Sequence, residues 1–236
     1  MVSMTNMEGL MDNGLNFLDE ARSAVARRIP AKHQAPEALK SRRSTRTEAE
    51  AAIRTLISWA GDDPARPGLI DTPARVARAF SEWFSGYNQD PEALLNRTFD
   101  EIGTYDQAVE LHDIPFHSFC EHHLAPIRGK AHIAYLPVRR VVGISKLARV
   151  VEACARRLQI QERLTDDIAQ AINNGLCPNG VAVVLVAEHG CMTSRGVNAH
   201  GARMVTKCMI GAYHDDAGLR REFLSSIGTE QCPARS

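Results

Sequence analysis

The chain has 236 residues, enough to bury one sizeable core with room for a helical extension. Its 28 Lys and Arg balance 28 Asp and Glu, so no global basic field points to nucleic acid or a membrane surface as partner. No apolar run reaches transmembrane length, and no signal-peptide core follows the start, so neither a span nor a leader is expected.

Residues 1–45 read as a basic, flexible arm. From Arg22 to Arg46 eight cations stand against one acid, Glu37, and Pro30 and Pro36 interrupt the run. A helical region is expected over 46–105. Ala52, Ile53, Leu56, Ile57 and Ala60 recur at helical spacing, and Gly61 ends the run. Asp71-Thr72-Pro73 is a second start, with Thr72 as N-cap. This helix should reach Phe84 and bury Val76, Ala79, Phe80 and Trp83, leaving Arg75 and Arg78 on its other face.

A second region, of alternating strands and helices, is expected over 106–230. Val109 to Phe116 reads as a strand that leads into Ser118-Phe119-Cys120-Glu121-His122-His123. Lys130 to Leu136 alternates as its hairpin partner, with Arg128-Gly129 in the connection. His132 falls inside that alternation and reads as a strand residue rather than a ligand. The next helix opens at Gly143-Ile144-Ser145, with Ser145 able to cap. Ile144, Leu147, Val151, Cys154 and Leu158 form its apolar stripe, which makes Cys154 a core thiol. Lys146 and Arg149 lie near its N-terminal end. There they suit a phosphate, or simply form a solvated basic face. A further helix follows Gln161-Glu162, with Thr165 as candidate N-cap and an end near Asn174-Gly175. Val181 to Ala187 is continuously apolar and reads as a buried strand that delivers His189-Gly190-Cys191. Met204 to Tyr213 is a last strand and Leu219 to Ile227 a terminal helix.

The metal-like residues fall in two places. Cys120 and His123 have the C-x-x-H spacing that lets one loop place a thiolate and an imidazole on one zinc ion. Cys191 would complete a three-ligand site with a position left for water, and His122 and His189 would stand beside it unligated. That is a hydrolytic constellation, although spacing alone leaves a metal-free reading open. The other cysteines, Cys154, Cys177, Cys208 and Cys232, form no dense framework with these, so a reducing cytoplasm is expected.

Three runs in order, CEHHLAPIRGKAHIAYLP, GISKLARVVEACARRLQIQERLTDDIA and VAEHGCMTSRGV, resemble the GTP cyclohydrolase I family. The likeness spans about Thr45 to Gly228, with DTPARVARAF and LRREFL included. It implies an α+β T-fold, an antiparallel sheet backed by helices, assembled into a toroidal homodecamer with active sites between subunits. It implies conversion of GTP and water to formate and 7,8-dihydroneopterin triphosphate, the first step toward folate or tetrahydrobiopterin. By motif, Cys120, His123 and Cys191 match zinc ligands, and His122 and His189 match catalytic histidines. Glu162, with Gln161 beside it, matches the guanine-recognition position. Ser145, Lys146, Arg149 and Arg195 match positions near the triphosphate, and Arg75 matches one supplied by another subunit. Gly190 departs from the pattern, where a larger residue is usual, and is expected to loosen the strand end that aims His189 and Cys191. Two rivals remain: a non-catalytic zinc module, and a T-fold relative such as a nitrile reductase.

Overall fold

The computed structural model describes residues 44–96, 98–99, 107–138 and 140–228. The basic arm expected over 1–45 lies almost wholly outside the described residues. The chain divides into two compact units, Met1–Asp62 and Asp63–Ser236. The described part of the first is one helix, α1 (Arg46–Trp59). Thr45 caps it: its hydroxyl accepts from Glu48 N–H, and Glu48 accepts in return from Thr45 N–H. Gly61 follows the helix with φ +98°, a conformation that favours glycine.

The second unit holds a sheet in the order β5-β2-β3-β6-β7. The long strands are β2 (Val109–Cys120), β3 (Pro126–Leu136), β6 (Gly180–His189) and β7 (Met204–Gly211), all antiparallel to their neighbours. The two-residue β5 (Leu158–Gln159) adds in parallel beside Phe119 and Cys120. A separate pair joins β1 (Thr98–Phe99) to β4 (Val141–Val142). The architecture is therefore mixed α and β, as expected.

Strand periodicity decides which residues face which layer. Ala131, Ile133 and Tyr135 of β3 and Val181, Val183 and Leu185 of β6 point to one side. There they meet Leu147, Val150, Val151 and Cys154 of α3 (Ile144–Ala155) and Leu164, Ile168 and Ile172 of α4 (Gln161–Leu176). Each such aliphatic side chain contributes roughly 1.5–3 kcal/mol on burial. The alternate residues, Ala134, Ala182 and Val184, pack on Tyr213 and Phe223 of α6 (Ala212–Asp215) and α7 (Ala217–Ser226). Both faces of β6 are thus covered, which is why its sequence is continuously apolar. Cys154 is a core thiol as expected, and burial pushes its pKa up to about 12.

Several local expectations need correcting. The β2–β3 turn is Glu121–Ala125, and Arg128-Gly129 lies within β3. β2 is longer than its apolar alternation suggests and carries a bulge between Leu111 and Ile114, where Asp113 has φ 55°. Helix α2 (Thr72–Trp83) takes Asp71, not Thr72, at its cap, and no side-chain cap bond forms. Only Pro73 of α2 is buried; Phe80 and Trp83 of its expected core face remain 36% and 41% exposed in the single chain. Gly143 caps α3, and Ser145 sits inside its first turn. Ile144, expected in the buried stripe, is exposed, and Leu158 belongs to β5. Thr165 is one turn inside α4, which starts at Gln161. The Thr165 hydroxyl donates to Gln161 O at 2.7 Å instead of capping.

Candidate metal centre and surrounding site

The site forms where three strand ends meet. Cys120 ends β2 and pairs with Gln159 of β5. β3 starts at Pro126, and its Ile127 stands opposite His189, the last residue of β6. Sheet order alone therefore brings Cys120 and Cys191 to one end although they are far apart in sequence.

The turn after Cys120 explains how C-x-x-H chelates. The Cys120 carbonyl accepts from both His123 N–H at 3.3 Å and Leu124 N–H at 2.9 Å, and Leu124 takes φ 55°. Cys120 N–H closes the turn on Ala125 O at 2.8 Å, and Glu121 N–H is held by Gln159 O at 3.1 Å. The chain doubles back, and His123 Nδ1 lies 3.8 Å from Cys120 Sγ. Cys191 comes from α5 (Gly190–Thr193), a single turn directly after β6.

The ligand atoms of Cys120, His123 and Cys191 all lie within 4.8 Å of one another. A tetrahedral zinc with bonds of about 2.0–2.3 Å holds its ligands roughly 3.3–3.8 Å apart, so the set fits with a small contraction. The chemistry fits as well, since thiolates and imidazole suit zinc. Burial, and next the Cys120 thiol, push the Cys191 pKa up. Two thiols held this close favour a cation between them. His122 Nδ1 also lies 3.8 Å from Cys120 Sγ, yet His122 stands outside the mutually close set and is largely exposed.

The other expected residues divide into two groups. His189 is half-buried; burial holds its pKa below the usual range, opposed by the Glu162 carboxylate. Glu162 is exposed on the first turn of α4. Arg195 is exposed four residues past Cys191 and favours its thiolate. Ser145, Lys146 and Arg149 stand on the first turns of α3, and Arg75 on α2 is paired with Asp71 at 3.2 Å. Gln161, expected beside the guanine position, turns inward and is 1% exposed.

Sequence reasoning missed two features. Arg163 Nη1 donates to Glu121 Oε2 at 2.9 Å, joining α4 to the metal-site turn. Pro126 packs against Gly190. A Cβ on Gly190 would meet Pro126 O at 2.9 Å and Pro126 Cδ at 3.0 Å, so the small residue allows a close strand end rather than a loose one. Both pairings are long-range, and only the Cys-Glu-His-His run itself hinted that Glu121 had a structural task.

A mixed α/β unit gathers two thiols and an imidazole at one sheet end, a Cys-His-Cys set that could hold a metal ion with three protein ligands. Residues 49–228 match the family profile described as GTP cyclohydrolase I. GTP cyclohydrolase 1 of Hyphomonas neptunium is 52% identical over 200 residues, covering 85% of this chain and 97% of that protein. GTP cyclohydrolase 1 of Maricaulis maris is 53% identical over 180 residues, covering 76% and 88%. Among solved structures, the apo archaeosine synthase QueF-Like aligns over 46% of this chain and 97% of its own, with 17% identity and a TM-score of 0.39, too slight a likeness to carry an argument. The chain belongs to the GTP cyclohydrolase I family, and the enzyme class expected from its motifs is the class found.

Proposed function

We propose that the chain hydrolyses GTP to formate and 7,8-dihydroneopterin triphosphate with zinc on Cys120, His123 and Cys191. The observation that carries this reading is the three-ligand cluster at the sheet end, with His189 and Glu162 beside it, in a chain of this family. Zinc bound there supplies Lewis acidity that makes water nucleophilic near neutral pH. The Glu162 carboxylate accepts from guanine N1–H and the exocyclic amino group, which turns C8 toward the cluster. Lys146, Arg149, Ser145 and Arg195, with Arg75 of another copy, hold the triphosphate, so binding far from C8 positions it for attack. His122 and His189 exchange protons as the two C8–N bonds break and as the ribose rearranges. Two hydrolytic cuts consume two waters, and ring closure returns one.

We assign the catalytic T-fold part to 106–230 and a helical region to 46–105. Assembly into a toroidal homo-oligomer, the decamer that the family resemblance implies, is supported by β7 standing at the sheet edge and by exposed Trp83, Tyr87, Val197 and Val205. Among the described residues no helix is long and apolar enough to cross a membrane. We place the protein in the cytoplasm, where its free thiols stay reduced.

A non-catalytic zinc staple would use four protein ligands, whereas the cluster found among the described residues has three. A nitrile reductase needs a free nucleophilic cysteine at the site, but the thiols at the sheet end, Cys120 and Cys191, belong to the metal cluster. Incubation of the purified protein with GTP, followed by oxidation, should yield a fluorescent pterin and one formate per GTP. Unchanged GTP would refute the reading.

A further inference from the structure

Gln161 is fully buried at the first residue of α4, and its amide is spent inside the protein. Gln161 Nε2 lies 3.2 Å from Leu185 O, 3.0 Å from Met204 O and 3.1 Å from Thr206 Oγ1. Backbone carbonyls only accept, so the two of them fix which end of the amide is the nitrogen. The neighbouring hydroxyls agree. Thr165 Oγ1 donates to Gln161 O at 2.7 Å, so Thr206, 2.6 Å away, donates to Thr165 and can accept from Gln161. The remaining amide atom, Gln161 Oε1, lies 2.8 Å from His189 Nε2. An amide oxygen cannot donate. The proton in that bond must therefore sit on His189 Nε2, and Nδ1 carries the lone pair.

We propose that Gln161 is a positioning residue that fixes the tautomer and ring orientation of His189, and that its side chain is not a guanine contact. The inference rests on the functional reading above in one respect: His189 must exchange a proton with substrate for the tautomer to matter to turnover. Nδ1 is then the nitrogen that does so. The bracing comes from β6 through Leu185 and from β7 through Met204 and Thr206, so the two strands hold the imidazole through one amide. Glu162, the next residue, points outward and is left to read the base.

Two measurements test this. The first uses the zinc-loaded protein labelled with nitrogen-15 and carbon-13 in histidine, at pH 8, by solid-state NMR. His189 is assigned by the signals lost in His189→Gln, and each ring nitrogen is identified by its bonded carbons. A protonated Nε2 with a bare Nδ1 is expected; a proton on Nδ1 overturns the proposal whether or not the protein turns over GTP. The second compares Gln161→Met, which keeps side-chain length and loses every hydrogen bond. Since general acid–base catalysis contributes about 10²–10⁴-fold, kcat should fall roughly 10- to 1,000-fold, with KM for GTP within about 3-fold and zinc retained. A raised KM at unchanged kcat would make Gln161 a substrate contact, and no change in either would show the bond to be idle; both outcomes overturn the proposal. Should the variant not fold, the parent spectrum still decides. Failure of the parent to make pterin would refute the functional reading alone.

Discussion

Arg163 Nη1 lies 2.9 Å from Glu121 Oε2, and this pair fastens the first turn of α4 to the turn that carries Cys120 and His123. Neither residue is a ligand. Partners hydrogen-bonded to metal ligands themselves are commonly worth 10- to 100-fold in metal affinity. Glu121→Ala and Arg163→Ala act one bond further out, so each should weaken zinc binding by about 10-fold or less, and the double variant should be little worse than either single one. Competition with a chromophoric chelator measures all three. Additive losses would show that the two residues act separately.

His122 and His123 lie equally near Cys120 Sγ, at 3.8 Å each, yet only His123 also lies close to Cys191. His122→Ala should therefore keep about one zinc per chain and lose most turnover, on the order of 10²-fold or more. His123→Ala should lose the metal itself. Metal analysis and a turnover assay on the pair check the assignment, and exchanged outcomes would exchange the two roles.

Glu162 is exposed in the first turn of α4, where a carboxylate also favours the helix dipole. The two roles predict different damage. If Glu162 reads guanine, Glu162→Ala should lose GTP turnover by about 10²-fold or more, with zinc and thermal midpoint nearly unchanged. If it only favours the helix, turnover should persist in a protein destabilised by roughly 1 kcal/mol or less.

The site was more legible in the sequence than its supports. Cys120, His123 and Cys191 could be proposed from spacing because ligand chemistry restricts residue type and separation. The apolar run from Val181 to Ala187 gave β6 for the same kind of reason, as both its faces are covered. The β2–β3 turn misled because Arg128-Gly129 looks like a turn while Cys-Glu-His-His does not; the actual reversal is made by the Cys120 carbonyl and by Leu124 at φ 55°. The burial of Gln161 was not legible, since the carbonyls of Leu185 and Met204 that capture its amide have no sequence signature. The exposed apolar face of α2 at Phe80 and Trp83 reads as a buried stripe by periodicity, which reports amphipathicity and not what covers it.

His132 is buried on β3 near His112, Asp113 and Lys130, and burial holds its pKa below the usual value of 6.5. Above that value the imidazole is neutral in both folded and unfolded chains and adds no pH dependence. Below it the unfolded chain takes up a proton that the folded chain refuses, so stability falls as pH drops, by at most one proton's worth of slope. Asp113 acts in a lower window: hydrogen bonding to Lys130 holds its pKa below 3.8, so its stabilisation is lost only at more acid pH. Urea midpoints at pH 8, 7, 6 and 5 should fall through the lower half of this range in the parent and less so in His132→Gln. Equal slopes would remove His132 as the cause.

Turnover of GTP is expected to depend on one metal held by Cys120, His123 and Cys191. The direct test is to strip the protein of metal with a chelator, add zinc in steps, and follow pterin formation from GTP in the parent and in Cys191→Ser. A hydroxyl is a much poorer zinc ligand than a thiolate. Activity in the parent should rise linearly and stop at about one zinc per chain, while Cys191→Ser should bind little zinc and stay inactive over the same range. Full activity in the metal-free parent, or a Cys191→Ser protein that titrates like the parent, would contradict the account.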